Sequence, residues 1–390
     1  MSEGGAAVVP LTISVGGKKK YAVKQMLGRG GFGDVHLARE ALSGAAVAIK
    51  FERKRTENLR SANVMEREIE VLSQLAGTPG FPAFIHAGTS GSLRFLVLTL
   101  LGPSLEAVMQ NLPGKRFSEN YVLSIGYLAL GLLQSVHSAG FAYCDVKPHN
   151  FLIPHPDHLK DSPDQLYLVD FGGAMYMGEK RAPKRGLTLL GGTARYASIG
   201  AHQGLPPDPA DDLESLSYML VYLARGSLPW SGIRAANSKE RNRLIGLKKC
   251  HMTAQKLCKG CSRNLCTFVD AAKRLARGAL PGYSQMQKLL LEEDGGALDL
   301  DWMDTFPAES SIFERFMCEP IESAPKCTMV KRAGSKGKLR RRKQPAARYA
   351  VKKEKEHHSS LTKKKKNPSD QHIQNNQCGS SQPSGACFVL

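Results

Sequence analysis

Between Phe141 and Phe151 the chain reads FAYCDVKPHNF. Its aspartate, lysine and asparagine stand at the spacing D-x-K-x-x-N, which suits phosphoryl transfer: Asp145 can accept a hydroxyl proton, and Asn150 can hold a metal. Further on, VDFGG supplies Asp170, Phe171 and Gly172 after the β-rich run Leu166 to Val169, with Asp170 as the principal Mg²⁺ ligand. Upstream, VAIK ends in Lys50. REIEVL carries Glu68, which can ion-pair Lys50 and hold its ammonium on the α- and β-phosphates of a nucleotide. Earlier still, LGRGGFGDV sets Gly28, Gly30 and Gly33 in the pattern G-x-G-x-x-G-x-V, where backbone N–H groups can close over phosphate oxygens with no Cβ in the way. Alone, this glycine pattern fits a dinucleotide fold equally well. Such a loop would open a helix and meet an acidic residue about 20 positions on. Here an extended segment and a lysine-bearing strand follow instead, as ATP-dependent phosphoryl transfer requires.

Those side chains need elements to carry them. AAVAIKF (Ala45 to Phe51) and RFLVLTLL (Arg94 to Leu101) read as strands. Between them Leu59 to Leu75 is helical in pattern, with Ile69, Leu72 and Leu75 near one face. Beyond residue 103 the periodicity becomes helical throughout. Tyr121, Ile125, Leu128, Leu132 and Val136 form one stripe, and Leu213, Leu216, Leu220 and Leu223 another. Strands first and helices after predict an α+β fold of two lobes, a small β-rich one followed by a larger helical one.

The 390-residue chain is 42% hydrophobic, enough for a buried core. Its longest apolar runs, such as FLVLTLL, fall far short of the roughly 20 residues of a membrane-spanning helix. MSEGGAAVVP has neither a basic segment nor an apolar core, so no secretory signal is expected, and Ser2 excludes N-myristoylation. Nine cysteines, an odd number unevenly spread, fit reduced thiols better than a disulfide framework. Of the formal charge of +19, most lies between Lys326 and Lys366, where seventeen Lys and Arg stand against two Glu. The expected organisation is a flexible N-terminus (1–18), a catalytic domain (19–304) and a basic, largely disordered tail (305–390).

LLGPSL (Leu100 to Leu105), GTARYASI (Gly192 to Ile199), DDLESLSYML (Asp211 to Leu220) and RGSLPW (Arg225 to Trp230) resemble the casein kinase I family of serine/threonine protein kinases. The resemblance covers about residues 19 to 304. It implies a bilobal protein-kinase fold and a non-specific Ser/Thr kinase using ATP and Mg²⁺. Nucleotide-binding residues so implied are Leu27, Gly28, Gly30, Gly33, Val35, Ala48 and Lys50, with Leu98 as gatekeeper and the backbone of Leu100 and Leu101 as hinge. Lys147 would stabilise the transferring phosphoryl group and Asp212 would brace the catalytic loop. Acidic or already phosphorylated protein substrates are implied, held by an anion pocket in which Arg195 matches one position. A second lysine of the pattern falls on Ser238, with Lys239 beside it. A monomer is expected.

Cys144 stands where the pattern has an arginine that receives an activating phosphate, so constitutive activity is expected. Tyr143 replaces a histidine at a position resembling a packing site beside Phe171 and Leu72. These two departures suggest the alternative of a kinase-shaped scaffold that binds nucleotide or partners without turnover. Gly173, in DFGG, removes a side chain beneath the activation segment. In KKCHMTAQKLCKGCSRNLC, Cys250, His251, Cys258, Cys261 and Cys266 could form a zinc site, although plain thiols fit the irregular spacing better. CFVL places Cys387 in a C-a-a-X prenylation frame. A prenyl group and a basic segment together would anchor the protein to an anionic, cytoplasmic membrane face. Nuclear import or nucleic-acid binding by KRAGSKGKLRRRK is the lesser alternative.

Overall fold

Strict alternation along AVAIKFER forces one side of that strand into a core and leaves the other side for chemistry. In the computed structural model Val47, Ile49 and Phe51 are buried against Ile13, Tyr21, Val23, Phe95 and Val97, while Ala48 and Lys50 face the opposite way. The structure describes residues 9–10, 12–15, 18–29, 33–53, 64–177, 194–291, 300–302 and 311–314, all within one compact unit. Gly30, Gly192, Cys387 and the basic tail lie outside the described residues.

The first lobe is an antiparallel sheet of six strands: β1 (Thr12–Val15), β2 (Lys18–Arg29), β3 (Asp34–Glu40), β4 (Ala46–Arg53), β5 (Phe84–Ser90) and β6 (Leu93–Thr99). Their spatial order is β1-β2-β3-β4-β6-β5. One helix, α1 (Val64–Gln74), is inserted between β4 and β5 and buries Met65, Glu68, Val71 and Leu72 at helical spacing.

The second lobe is helical: α2 (Leu105–Asn111), α3 (Glu119–Ser138), α4 (Ile199–Gln203), α5 (Pro209–Arg225), α6 (Ser238–Cys250), α7 (Ala254–Leu257), α8 (Arg263–Lys273) and α9 (Tyr283–Lys288). Between α3 and α4 run four two-residue strands, β7 (Phe141–Ala142), β8 (Phe151–Leu152), β9 (Tyr167–Leu168) and β10 (Met175–Tyr176), pairing β7 with β10 and β8 with β9. These short pairs fix the loops that bear Asp145 and Asp170. Side-chain oxygens cap several helices, Ser118 on α3, Asp208 on α5 and Ser262 on α8 among them. No helix among the described residues is long and apolar enough to cross a membrane.

Two elements lie outside the 19–304 stretch expected as the catalytic domain. The N-terminal stretch expected to be flexible contains β1, which pairs with β2 because Ile13 is fully buried in the sheet's core. The stretch expected as tail begins with a helical turn, Ser311–Phe313, held because Phe313 is fully buried against the helical lobe.

Candidate active site

Register brings the nucleotide-side residues onto one face. Lys50 lies opposite Val35 on β3 and Leu96 on β6, and Ala48 lies opposite Leu37 and Leu98. Directly opposed residues of an antiparallel pair point the same way, so Val35, Ala48, Lys50 and Leu98 share a surface. Leu27 and Gly28 end β2, with Gly28 opposite Val35. Gly33 has a steric reason to be glycine: a Cβ there would stand 2.0 Å from the Phe51 carbonyl oxygen. Beyond β6, Leu100 and Leu101 are buried, and Gly102 presses on the second lobe where a Cβ would meet the Pro154 carbonyl oxygen at 2.2 Å. The Gly102 N–H also donates to the Ile153 carbonyl at 3.0 Å, which ties the inter-lobe connection down.

Lys50 joins three elements. Its Nζ donates to Glu68 Oε2 on α1 at 2.6 Å and to Asp170 Oδ1 at 2.7 Å. Burial works against the ammonium charge, yet the two carboxylates outweigh it and hold Lys50 above the usual lysine range. The same ammonium outweighs burial at Asp170 and holds that carboxyl below its usual range. α1 is held in register by Arg94 of β6, which pairs with Glu52 at 2.5 Å and with Glu66.

Asp145 is buried and accepts from Lys147 Nζ at 2.5 Å. Burial lifts its pKa above the usual carboxylate range, with Lys147 opposing. The Asn150 amide nitrogen donates to the Asp145 carbonyl at 3.0 Å and to its carboxylate at 3.1 Å. That leaves the Asn150 carbonyl oxygen as the atom able to take a cation. With Asp170 it makes a hard-oxygen donor pair, which suits Mg²⁺ completed by substrate phosphates and water. Such an ion would neutralise phosphate charge and orient the γ-phosphate.

Asp170 and Cys144 both have left-handed backbone, at φ 65° and 68°, a conformation that costs about 1–3 kcal/mol and persists only when its surroundings fix it. For Cys144 the fixing group is Asp212 on α5, only 2% exposed. Its carboxylate accepts from the Tyr143 N–H at 2.7 Å, the Cys144 N–H at 2.8 Å and His137 Nε2 at 2.8 Å. Tyr283 meets the other nitrogen of that imidazole. The Tyr143 ring packs edge-on against Phe171, centroids 5.6 Å apart, and its hydroxyl donates to the Val169 carbonyl at 2.6 Å.

Arg195 is half-buried, its guanidinium 5.3 Å from the Tyr222 ring centroid. Lys239 is exposed in the first turn of α6. The structure thus gathers Lys50, Glu68, Asp145, Lys147, Asn150 and Asp170. Cys258 is buried, Cys261 and Cys266 are half-buried and Cys250 is exposed. Among the described residues no three His, Cys, Asp or Glu side chains are grouped to hold a metal. Sequence reasoning missed His137, Tyr283 and Lys249. The signal for His137 was a polar residue on the buried face of α3, whereas Lys249 lies in a basic helix that reads as solvated.

A small sheet lobe and a larger helical lobe that together bring Lys50, Glu68, Asp145, Asn150 and Asp170 into one place have the arrangement of a protein-kinase fold. Residues 21–280 match the protein kinase domain. The chain belongs to that family. It is 36% identical over 273 residues to Casein kinase I homolog 1 of Schizosaccharomyces pombe, covering 69% of this chain and 60% of that protein. It is also 35% identical over 292 residues to Casein kinase I homolog 2 of the same organism, covering 73% and 66%. The matched stretch therefore spans less than two thirds of either relative, and within it the resemblance to casein kinase I is borne out.

Proposed function

We propose that this protein transfers the γ-phosphate of ATP to Ser or Thr of protein substrates. The observation that carries this reading is the Lys50 ammonium held between Glu68 and Asp170, at 2.6 and 2.7 Å. That triad ties α1 to the metal-side loop, which kinase catalysis requires. Asp145 receives the substrate hydroxyl proton, Lys147 steadies the phosphoryl group in flight, and Asn150 and Asp170 hold Mg²⁺. Leu98, Leu100 and Leu101 line the adenine side.

The reading extends to activity without an activating phosphate, which the triad and Cys144 support, and to acidic or primed substrates, for which Arg195 is the receiving cation. It places the protein as a monomer on an anionic membrane through Cys387 and the basic segment, sequence features outside the described residues. The test is phosphate transfer to an acidic protein by phosphatase-treated wild type and by Asp170→Asn. Transfer by wild type alone is expected, and equal transfer by both would overturn the assignment. Unchanged membrane recovery of Cys387→Ser would overturn the anchor.

A further inference from the structure

The segment Ala194–Ile199, which carries Arg195, is gripped by groups the catalytic reading does not use. Trp230 Nε1 donates to the Arg195 carbonyl at 2.7 Å. The Ile199 N–H donates to the Glu214 carboxylate at 3.2 Å, and Ser198 Oγ donates to Asp211 at 2.7 Å. The central group is Lys249, in the last turn of α6 and fully buried. Its Nζ donates to the Ala194 carbonyl at 2.8 Å and the Ala197 carbonyl at 2.5 Å, and it lies 3.3 Å from His202 Nε2. It also lies 4.9 Å from the Tyr218 ring and 5.1 Å from the Trp230 ring, both within cation–π range.

Such a residue needs a reason. A buried ammonium is expensive, and an apolar side chain of similar volume would usually be neutral or better for stability. Here the amine is spent on two backbone carbonyls flanking Arg195 and Tyr196. With Trp230 on the carbonyl between them, the main chain of that turn cannot rotate. Gly246, one turn earlier on α6, permits the approach, since a Cβ there would stand 3.1 Å from His202 Cβ and Cγ. The half-buried Arg195 guanidinium lies 5.8 Å from the Tyr196 ring centroid and 5.3 Å from that of Tyr222.

We propose that Lys249 is a positioning residue for substrate: by clamping the Ala194 and Ala197 carbonyls it presents Arg195 to an anionic residue of the protein substrate. This rests on the protein-kinase reading and deepens it. In kinases whose catalytic loop keeps the arginine, a phosphate orders this region; here the ordering charge comes from α6 and needs no modification. The groups facing Lys249 are Glu214 and Tyr218 on α5, His202 on α4 and Lys273 on α8, with Cys250 next to it on its own helix. Burial pushes its pKa down to about 7, Glu214 opposing and Lys273 adding, so neutralisation removes one of three donors near physiological pH.

The test is steady-state kinetics of the full chain with ATP and a Glu-rich peptide, whose own charge is constant above about pH 6. Wild type, Lys249→Arg and Lys249→Met are compared from about pH 6 to about pH 8.5. In Lys249→Met the peptide KM should rise about tenfold, as for one lost charge-assisted hydrogen bond. ATP KM should stay within about twofold, and Lys249→Arg should fall between. Unchanged peptide KM in Lys249→Met, or an equal loss in peptide KM, ATP KM and kcat, overturns the proposal. If Lys249→Met does not fold, a peptide KM unchanged in Lys249→Arg overturns it. Absence of any transfer by wild type instead overturns the kinase reading itself.

Discussion

Replacing Asp212 by Asn tests whether the catalytic loop is braced from α5. The carboxylate accepts from three N–H groups, on Tyr143, Cys144 and His137, using both oxygens. An asparagine has one oxygen and turns N–H₂ toward whatever the other faced. The imidazole can adapt by moving its proton to the other nitrogen, but the two backbone amides cannot. Tyr143 and Cys144 donate to different oxygens, so either orientation of the amide leaves one of them pointing at another N–H. The loss combines a charge-assisted bond, about 1.5–3 kcal/mol, with a buried unpaired donor, about 1–3 kcal/mol. A total of about 3–5 kcal/mol is expected. For a domain of roughly 290 residues the unfolding entropy is about 0.6 kcal/mol per kelvin, so Tm should fall by about 5–8 °C. Cys144 would also be released from its left-handed backbone, moving Asp145, and kcat should drop at least about tenfold. Thermal unfolding and turnover on one acidic peptide measure both. A Tm within about 1 °C of wild type, together with unchanged turnover, would refute the brace.

Two further outcomes are expected. Gly33→Ala drives its Cβ against the Phe51 carbonyl, a backbone atom that cannot step aside, so the glycine loop must shift and ATP KM should rise about tenfold; an unchanged ATP KM would show that the loop does not cover the phosphates. His202 is held neutral, its pKa pushed down to about 4 by burial with Lys249 adding. Since the unfolded histidine takes a proton near about 6.5, the unfolded state binds more protons between these values. Stability should therefore fall as pH drops from about 6.5 to about 4, and urea midpoints of His202→Gln should fall less steeply.

Local patterns carried much of this into the sequence. AAVAIKF was legible as a strand from its β-rich composition, and in the structure the period of two puts Val47, Ile49 and Phe51 on one face of β4 and Ala48 and Lys50 on the other. Of the stripe Tyr121, Ile125, Leu128, Leu132 and Val136 on α3, Ile125, Leu132 and Val136 are buried while Tyr121 and Leu128 are only partly so, because the helix also buries Val122, Ala129, Leu130 and Leu133. Groups acting through long-range backbone contacts were invisible. Lys249 meets carbonyls more than fifty residues away, and the KK pair in α6 has the composition of a solvated face. Ile13 and Phe313 were missed although a pattern stood at each: Leu11, Ile13 and Val15 alternate as in a strand, and Ile312, Phe313, Phe316 and Met317 recur at helical spacing.

The two residues that set this catalytic loop apart differ in how much their side chains matter. The contacts from positions 143 and 144 to Asp212 are made by main-chain N–H groups, which any residue but proline supplies. What Tyr143 adds is an aromatic edge against Phe171 and a hydroxyl bonded to Val169, which ties the Asp145 loop to the strand-end before Asp170. The Cys144 thiol donates weakly to the Ala142 carbonyl at 3.4 Å and also meets the Met175 backbone N–H on β10. The loop geometry therefore depends on Asp212 and the backbone. The arginine's usual task, anchoring a phosphate on the activation segment, has no counterpart at Cys144, and the ordering of Ala194–Ile199 falls to Lys249, Trp230 and Glu214 in the helical lobe.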